Sequence, residues 1–149
     1  MEPEDLTIED YDEIIALWRA CPGLGLSGAD SRDSLKRFLA RNPGLSLVCR
    51  EQGRIVATSL CGHDGRRGFL YHVAVNPHRR GRGLGRRLVE SCLQRLAREG
   101  IEKCHLFVFA DNREGRDFWD VLGWTRRDDL VVFSRDLSPE ITLPDPGPA

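Results

Sequence analysis

A run of arginine and glycine residues in the middle of the chain is the stretch best suited to chemistry. Residues 79–87 hold five arginines and three glycines, and the glycines alternate as Gly81, Gly83 and Gly85. Glycines let a backbone approach a bulky anion closely, and the start of a helix offers unpaired N–H groups and a positive dipole end. Arginine side chains can add bidentate hydrogen bonds to phosphate oxygens. The run therefore predicts a site for a phosphate, and a pyrophosphate above all.

Three kinds of phosphate-binding loop compete for this run. A Walker A loop needs a lysine before Ser or Thr, and residues 79–87 contain no lysine, which excludes that kind of loop. A dinucleotide-binding fingerprint needs its glycines directly after the first strand of a parallel sheet, whereas these follow a third strand. A nicotinamide-dependent oxidoreductase is therefore only an alternative. The third pattern is Arg or Gln, two residues, Gly, one residue, then Gly or Ala, and residues 80–85 meet it in full.

The elements that position this run follow from the spacing of apolar residues. Helical spacing predicts helices over residues 9–21 and 83–99, and a second helix that begins at Asp30 or Ser31 and ends before Pro43. The remaining segments are short and rich in β-branched and aromatic residues. They predict strands over residues 45–50, 55–61, 69–75, 105–110 and 130–137, with a shorter helix over 112–122.

The order of these elements predicts the fold class. The first three strands follow one another closely and predict an antiparallel meander, whereas the helix over 83–99 links strands 69–75 and 105–110 in one parallel crossover. We therefore expect a single α/β (α+β) domain over residues 1–137. The tail over 138–149 is rich in proline and is predicted to be disordered.

Composition and charge exclude several classes of protein. The 149 residues include 22 basic and 23 acidic side chains, and the net charge of −1 does not favour a partner that is a nucleic acid or a membrane surface. No apolar run reaches the ~18 residues that span a bilayer, and the acidic N-terminal residues lack the pattern of a secretory signal, so we expect a cytoplasmic protein. The five cysteines lack metal-ligand spacing, which predicts neither a metal site nor a disulfide framework.

Two motifs resemble those of the GNAT superfamily of acetyl-CoA-dependent N-acetyltransferases, and the chain resembles its small bacterial single-domain members over roughly residues 5–137. The first motif is the loop over residues 80–85. The resemblance implies a mixed, mostly antiparallel sheet flanked by helices, in which a central parallel pair of strands splays apart to admit the cofactor. The second motif, further along the chain, consists of Asn112, Gly115, Phe118, Trp119, Leu122, Gly123 and Trp124.

The resemblance also implies which residues bind acetyl-CoA. Backbone groups of the strand over 69–75 would pair with the pantetheine arm and the acetyl carbonyl, and the Arg-Gly loop would hold the pyrophosphate. Asn112 would contact the pantetheine region, and the aromatic pair would lie near the thioester sulfur. No metal is implied. The cofactor-binding residues expected on this basis are Val73, Ala74, Val75, Arg80, Gly81, Arg82, Gly83, Leu84, Gly85, Arg86, Asn112 and Trp119.

The catalytic residues of the family are replaced in this chain. An alkylamine is protonated at neutral pH, so its attack on a thioester needs a base or a water relay. The positions that match the family's glutamate carry Phe69, Tyr71 and Phe107. The usual tyrosine of the aromatic pair is Trp119, whose indole N–H is too weak an acid to protonate a thiolate. By strand alternation Tyr71 projects with Phe69 and Val73 toward the acceptor, and Tyr71 is therefore the predicted proton-transfer residue.

The residues that receive the acceptor are predicted from their place in the fold. His63 and Asp64 lie in a hairpin turn at the substrate end of the family fold and are candidate acceptor-binding residues. The Gly-rich apolar residues 22–30 predict a flexible loop that lies over a substrate. His72 points away from the acceptor by strand alternation and is predicted to be packed.

We therefore expect acetyl transfer from acetyl-CoA to a small-molecule or peptide amine, by direct attack in a ternary complex. The missing glutamate and tyrosine argue against the subfamily that acetylates ribosomal-protein N-termini. A small amine, an amino acid, a polyamine and a protein all stay open as acceptors. A non-catalytic acyl-CoA-binding or sensing module is the alternative that the missing residues favour. A homodimer is expected only because dimers are the commonest oligomers.

Overall fold

The computed structural model describes residues 1–137, so the prediction of a disordered tail over 138–149 lies outside the described residues. The described strands form one sheet in the order β1-β2-β3-β4-β5, antiparallel throughout except for the parallel pair of β4 and β5. The helices and strands are β1 (Glu4–Asp5), α1 (Tyr11–Arg19), α2 (Arg32–Arg41), β2 (Leu47–Glu51), β3 (Arg54–His63), β4 (Gly68–Val75), α3 (Leu84–Arg98), β5 (Cys104–His105) and α4 (Arg113–Val121).

The helices begin at residues that satisfy their first backbone N–H groups. The hydroxyl of Ser31 accepts a hydrogen bond from the N–H of Ser34 at 3.2 Å and fixes the start of α2. The side chain of Asn112 accepts from the N–H of Gly115 at 3.0 Å and caps α4. Gly83 precedes α3 with a left-handed φ of +77°, a conformation that glycine adopts without strain. The predicted helices, the meander of β2, β3 and β4, and the crossover through α3 are confirmed.

Two of the predicted strands differ from the structure. The strand predicted over 105–110 is present only as β5, because its pairing with β4 ends at Phe69 and His105 and the two segments then diverge. The segment over 130–137 forms no strand, and its apolar side chains are exposed, with Phe133 at 95%. A high β-propensity does not make a strand where the backbone has no neighbour to pair with.

The sheet separates two apolar clusters. On one face α3 packs Leu88, Val89 and Cys92 against residues of β2, β3 and β4, and the partly buried Trp119 of α4 packs against this cluster. On the other face α1 and α2 pack Trp18 and Leu35 against the same three strands. The five cysteines are free thiols, and four of them are buried.

A β-bulge interrupts the alternation of β4 and reverses one prediction. The register between β3 and β4 shifts where Ser59 lies opposite His72 and Val73, and His72 has a left-handed φ of +48°. As a result Tyr71 and His72 both face α1 and α2, whereas Val73 packs on the α3 face. The prediction that His72 points away from Tyr71 is therefore wrong, because strict alternation fails at a bulge. Val73 likewise does not share the face of Tyr71.

Candidate active site

A cleft of about 530 Å³ opens between β4 and the segment over 106–109. It exists because the two segments are paired only at residues 68–69 and 104–105 and then separate. The loop after α1, with Cys21–Gly25 along its wall, borders the cleft on the α1 side. The Arg-Gly run lines the cleft beyond the end of β4, and residues of α4 complete the lining. The splayed pair of parallel strands expected from the family resemblance is thus present, at the edge of the described sheet.

The Arg-Gly loop leaves open space in front of the α3 N-terminus. A Cβ built on Gly81 or on Gly83 would meet no heavy atom within 4 Å, and both glycines have left-handed φ values of +80° and +77°. The first N–H groups of α3 have no partner within the helix and carry its positive dipole end. A Cβ on Gly85 would lie 3.0 Å from the ring of Phe118, so this glycine lets α4 approach α3 closely. The loop can therefore cradle an anion such as a pyrophosphate.

Among the arginines of the loop, Arg79 is held by a close hydrogen bond, whereas Arg80 and Arg82 make only long contacts and are more exposed. Arg79 donates a hydrogen bond to Glu51, and this contact lowers the pKa of the Glu51 carboxyl. Arg80 and Arg82 lie 3.7 and 3.8 Å from the carboxylates of Glu114 and Glu51, and their side chains are 41% and 55% exposed. Such long, solvent-screened pairs contribute little, so both guanidinium groups are available to phosphate oxygens.

The edge of β4 that faces the cleft lacks a strand partner over most of its length, although the carbonyl of Val75 accepts from Sγ of Cys21 at 3.6 Å and from Nε of Arg80 at 3.5 Å. Beyond Phe69 this edge has no strand partner among the described residues, while the opposite edge of β4 pairs with β3. Val73, Ala74 and Val75 all line the cleft. An extended ligand can therefore hydrogen-bond along this edge in the manner of an added strand.

The wall formed by α4 is aromatic. Trp119 lines the cleft and makes edge-to-face contacts with Phe118 and Trp124, at ring-centroid distances of 4.9 and 5.0 Å. Asn112 also lines the cleft while it caps α4, and its amide is so close to the loop after α1 that a Cβ on Gly23 would lie 2.9 Å from its Nδ2. Asn112 therefore lies between the start of α4 and the loop that borders the cleft, where Gly23 leaves room for its amide.

Tyr71 lines the cleft beside β4. Its ring is half-buried, stacked with Phe69 at 6.2 Å and edge-on to Phe38 at 6.2 Å. Its hydroxyl makes no hydrogen bond with any residue between 1 and 137. Burial raises the pKa of Tyr71, so the phenol is a weaker acid than an exposed tyrosine and remains protonated at neutral pH.

A buried hydrogen-bonding partner of His72 was not predicted from the sequence. The Nε2 atom of His72 lies 2.8 Å from Oδ1 of Asp30, and the two side chains are only 2% and 8% exposed. The other carboxylate oxygen of Asp30 accepts from the N–H of Ser27, and its backbone carbonyl accepts from the hydroxyl of Tyr11 at 2.6 Å. Trp18 packs on the His72 ring at 4.5 Å. The pair therefore ties the loop before α2 to the bulge of β4.

We expect Asp30→Ala to destabilise the fold by about 2 kcal/mol, because it leaves the buried Nε2 atom of His72 without its hydrogen-bond partner. Asp5→Ala is the matched control, since Asp5 contacts Arg95 at 2.7 Å but is 59% exposed, and its loss should cost less than about 1 kcal/mol. Urea unfolding of the two variants measures both losses. Equal losses would show that the His72–Asp30 pair does not hold the loop.

The structure does not bring the predicted acceptor residues His63 and Asp64 to the cleft. His63 contacts Glu99 at the end of α3, with 3.0 Å between Nε2 and Oε1. Asp64 accepts from the N–H groups of Arg66 and Arg67, and these bonds lower the pKa of its carboxyl. Both side chains serve the hairpin turn between β3 and β4.

The sequence predicted some of the residues that line the cleft and did not predict others. The loop predicted over 22–30 does border the cleft, through its first residues. The pairing of Asp30 with His72 could not be predicted, because it depends on the bulge in β4.

Within residues 1–137, no group of three or more His, Cys, Asp or Glu side chains is arranged to hold a metal ion. No helix in the same range is long and apolar enough to cross a membrane.

Comparison with known proteins identifies the relatives of this chain. The model of the acetyltransferase (GNAT) family matches residues 11–124. An acetyltransferase of Photorhabdus laumondii subsp. laumondii is 34% identical over 130 residues, which cover 87% of this chain and 90% of the relative. An acetyltransferase of Pectobacterium atrosepticum is 36% identical over 127 residues, which cover 85% and 89% of the two chains.

Solved structures share the fold at lower identity. The PaiA N-acetyltransferase of Thermoplasma acidophilum, solved with coenzyme A, superposes with a TM-score of 0.74 at 19% identity and covers 85% of this chain and 91% of its own. The protein AAC(6')-Iy, solved with a bisubstrate analogue, gives a TM-score of 0.71 at 16% identity, with coverages of 91% of this chain and 97% of its own. These likenesses concern the fold alone.

Proposed function

Because this chain belongs to the GNAT family of acetyltransferases and is therefore an acetyl-CoA-dependent acyltransferase, we propose that it acetylates an amine by direct attack in a ternary complex. The observation that carries the proposal is the open cleft between β4 and residues 106–109, which ends at the Arg-Gly loop. This cleft is the shape that an extended pantetheine arm with a pyrophosphate at its end requires.

The residues that line the cleft fit acetyl-CoA as cosubstrate. The open space at Gly81 and Gly83, the exposed guanidinium groups of Arg80 and Arg82, and the first N–H groups of α3 would hold the pyrophosphate. The edge of β4 that has no strand partner beyond Phe69 would bind the pantetheine arm. A backbone N–H near Val73, next to the bulge, would stabilise the oxyanion that forms on the acetyl carbonyl.

The transfer balances without any further reactant. The neutral amine attacks the thioester carbon, a C–N bond forms and the C–S bond breaks. The amine loses one proton and the leaving thiolate, whose ordinary pKa is ~8.5, takes up one proton. We assign proton transfer at the thiolate to the hydroxyl of Tyr71, because Tyr71 lines the cleft and its hydroxyl has no hydrogen-bond partner among residues 1–137. The alkylamine has to arrive neutral or lose its first proton to water.

Several further properties belong to the proposal. The acceptor is a small-molecule or peptide amine, the protein acts in the cytoplasm, and neither a nucleic acid nor a membrane is a partner. The charge of −1 and the absence of a long apolar run support these points. A homodimer is the expected oligomer.

Two-substrate kinetics test the ternary complex. Initial rates of CoA release are measured while acetyl-CoA and an amine are varied together, and the product is checked by mass spectrometry. We expect intersecting lines in a double-reciprocal plot and no acetylated enzyme. Parallel lines with an acetylated protein would contradict direct attack, and binding of acetyl-CoA without any transfer would favour the sensing module.

A further inference from the structure

The peptide bond between His72 and Val73 lies outside the hydrogen-bond ladder that the described strands form. These two residues make up the bulge of β4, and both lie opposite Ser59 of β3. The carbonyl of Ser46 faces the residue that follows β1, so by alternation Leu47 turns its backbone groups to its partner Ser59. Ser59 therefore directs its own backbone groups to β2 and away from the bulge.

A buried side chain holds the carbonyl of this peptide instead. The hydroxyl of Thr58 donates to the carbonyl oxygen of His72 at 3.0 Å, and the same hydroxyl accepts from Nε1 of Trp18 at 2.8 Å. Thr58 and Trp18 are fully buried. Because the indole N–H occupies one lone pair of the hydroxyl oxygen, the hydroxyl proton is left to point at the carbonyl. The carbonyl of His72 is thereby fixed on the side of β3.

The N–H of the same peptide belongs to Val73 and points the opposite way. In a planar trans peptide the C=O and N–H bonds lie antiparallel. A carbonyl that is held toward Thr58 of β3 therefore turns the Val73 N–H to the other edge of β4, where the cleft opens. Val73 lines that cleft. Its N–H is thus directed to the place where an oxyanion would form on the acetyl carbonyl.

The backbone of His72 depends on its surroundings for this orientation. Its φ of +48° is a left-handed value that residues other than glycine rarely adopt, and such a value persists only where neighbouring groups enforce it. The imidazole ring is held by Asp30 at 2.8 Å and by Trp18 at 4.5 Å between ring centroids. These contacts fix the ring, whereas the contact with Thr58 fixes the plane of the peptide that follows.

We propose that Thr58 is a positioning residue for acetyl transfer, whose hydroxyl orients the 72–73 peptide so that the Val73 N–H faces the acetyl carbonyl. This inference rests on the proposed function. Thr58 lies outside the cleft lining and therefore acts only through the peptide that it holds. Trp18 supports this role, because its indole N–H orients the hydroxyl.

The carbonyl group of bound acetyl-CoA reports on this N–H without any acceptor. Infrared difference spectra are recorded for acetyl-CoA labelled with carbon-13 at the acetyl carbonyl, bound to the full-length protein. We expect the wild type to lower the stretching frequency of this carbonyl relative to free acetyl-CoA, because it accepts a hydrogen bond. Thr58→Val removes the hydroxyl and keeps the shape of the side chain. It should lose most of the shift while the Kd for CoA, measured by calorimetry, stays unchanged.

Turnover tests the same contact. The kcat for CoA release is measured at saturating acetyl-CoA with whichever of n-butylamine, phenethylamine and spermidine reacts fastest. Removal of an oxyanion donor lowers kcat by about 100-fold or more, so a misdirected N–H in Thr58→Val should lower it by at least about tenfold. Thr58→Ser restores the hydroxyl and should keep kcat within about threefold of the wild-type value.

Ser46→Ala is the matched control for Thr58→Val. The buried hydroxyl of Ser46 accepts from the N–H of Cys61 at 3.0 Å and lies outside the cleft lining. Its removal should lower the free energy of unfolding about as much as Thr58→Val does, with kcat and the infrared shift unchanged. Urea unfolding compares the two losses. If Thr58→Val does not fold, Thr58→Cys takes its place, because a thiol is a weak hydrogen-bond donor.

The outcomes separate this inference from the function on which it rests. A wild-type kcat and a wild-type infrared shift in the folded Thr58 variant would overturn the inference while the acetyltransferase function stands. Equal losses of kcat in Thr58→Val and Ser46→Ala would also overturn it, since Thr58 would then serve stability alone. Absence of acetyl-CoA binding to the wild-type protein would overturn both.

Discussion

Gly83→Asp is expected to abolish measurable binding of acetyl-CoA. The added Cβ would extend into open space in front of α3, where no heavy atom lies within 4 Å. The new carboxylate would then occupy the place of the pyrophosphate at the first N–H groups of the helix. Two like charges about 4 Å apart near a protein surface repel by roughly 4 kcal/mol, so the Kd should rise by more than about 100-fold.

Gly44→Asp is the matched control for this variant. Gly44 has a left-handed φ of +73°, close to the +77° of Gly83, and a Cβ there would also meet open space. It lies between α2 and β2, outside the cleft lining, so its substitution carries the same backbone strain and the same charge without facing a phosphate. Calorimetric titration should give a Kd near the wild-type value. An unchanged Kd in Gly83→Asp would refute the placement of the pyrophosphate.

Tyr71→Phe is expected to lower kcat by about 100-fold, the usual contribution of a proton-transfer group, with the Kd for acetyl-CoA unchanged. The substitution removes one hydroxyl and keeps the ring contacts with Phe69 and Phe38. Because that hydroxyl has no hydrogen-bond partner among residues 1–137, the fold should not lose stability. Stopped-time assays of CoA release and calorimetry measure the two quantities separately.

The chain's other tyrosine is the control for Tyr71. The hydroxyl of Tyr11 donates to the carbonyl of Asp30 at 2.6 Å and lies outside the cleft lining. Tyr11→Phe should therefore lower the free energy of unfolding by about 1 kcal/mol and change kcat less than about threefold. A wild-type kcat in Tyr71→Phe would leave Tyr71 as a packing residue and would remove the proton-transfer role assigned to it.

Local sequence patterns predicted those helices and strands whose formation depends on residues within or next to the element itself. The helix starts at Ser31, Gly83 and Asn112 depend on residues within one turn, and the sequence contains them. Strand 105–110 and strand 130–137 were overpredicted, because pairing depends on a neighbouring backbone that the local sequence does not describe.

The part of the site that the sequence predicted is the part formed by consecutive residues. The Arg-Gly loop needs only its own glycines and the helix after it, and the structure places it at the end of the cleft. The orientation of Val73 and the pairing of His72 with Asp30 depend on a bulge opposite Ser59. A bulge changes which side chains share a face, and no residue type in β4 specifies it in advance.

Calorimetric titration of the purified protein with acetyl-CoA, CoA and NAD tests the central claim most directly. The cleft between β4 and residues 106–109, with the Arg-Gly loop at its end, predicts that both acetyl-CoA and CoA bind and that NAD does not compete with them. Tighter binding of NAD than of CoA, or the absence of any heat with acetyl-CoA, would contradict the assignment of this cleft to acetyl-CoA.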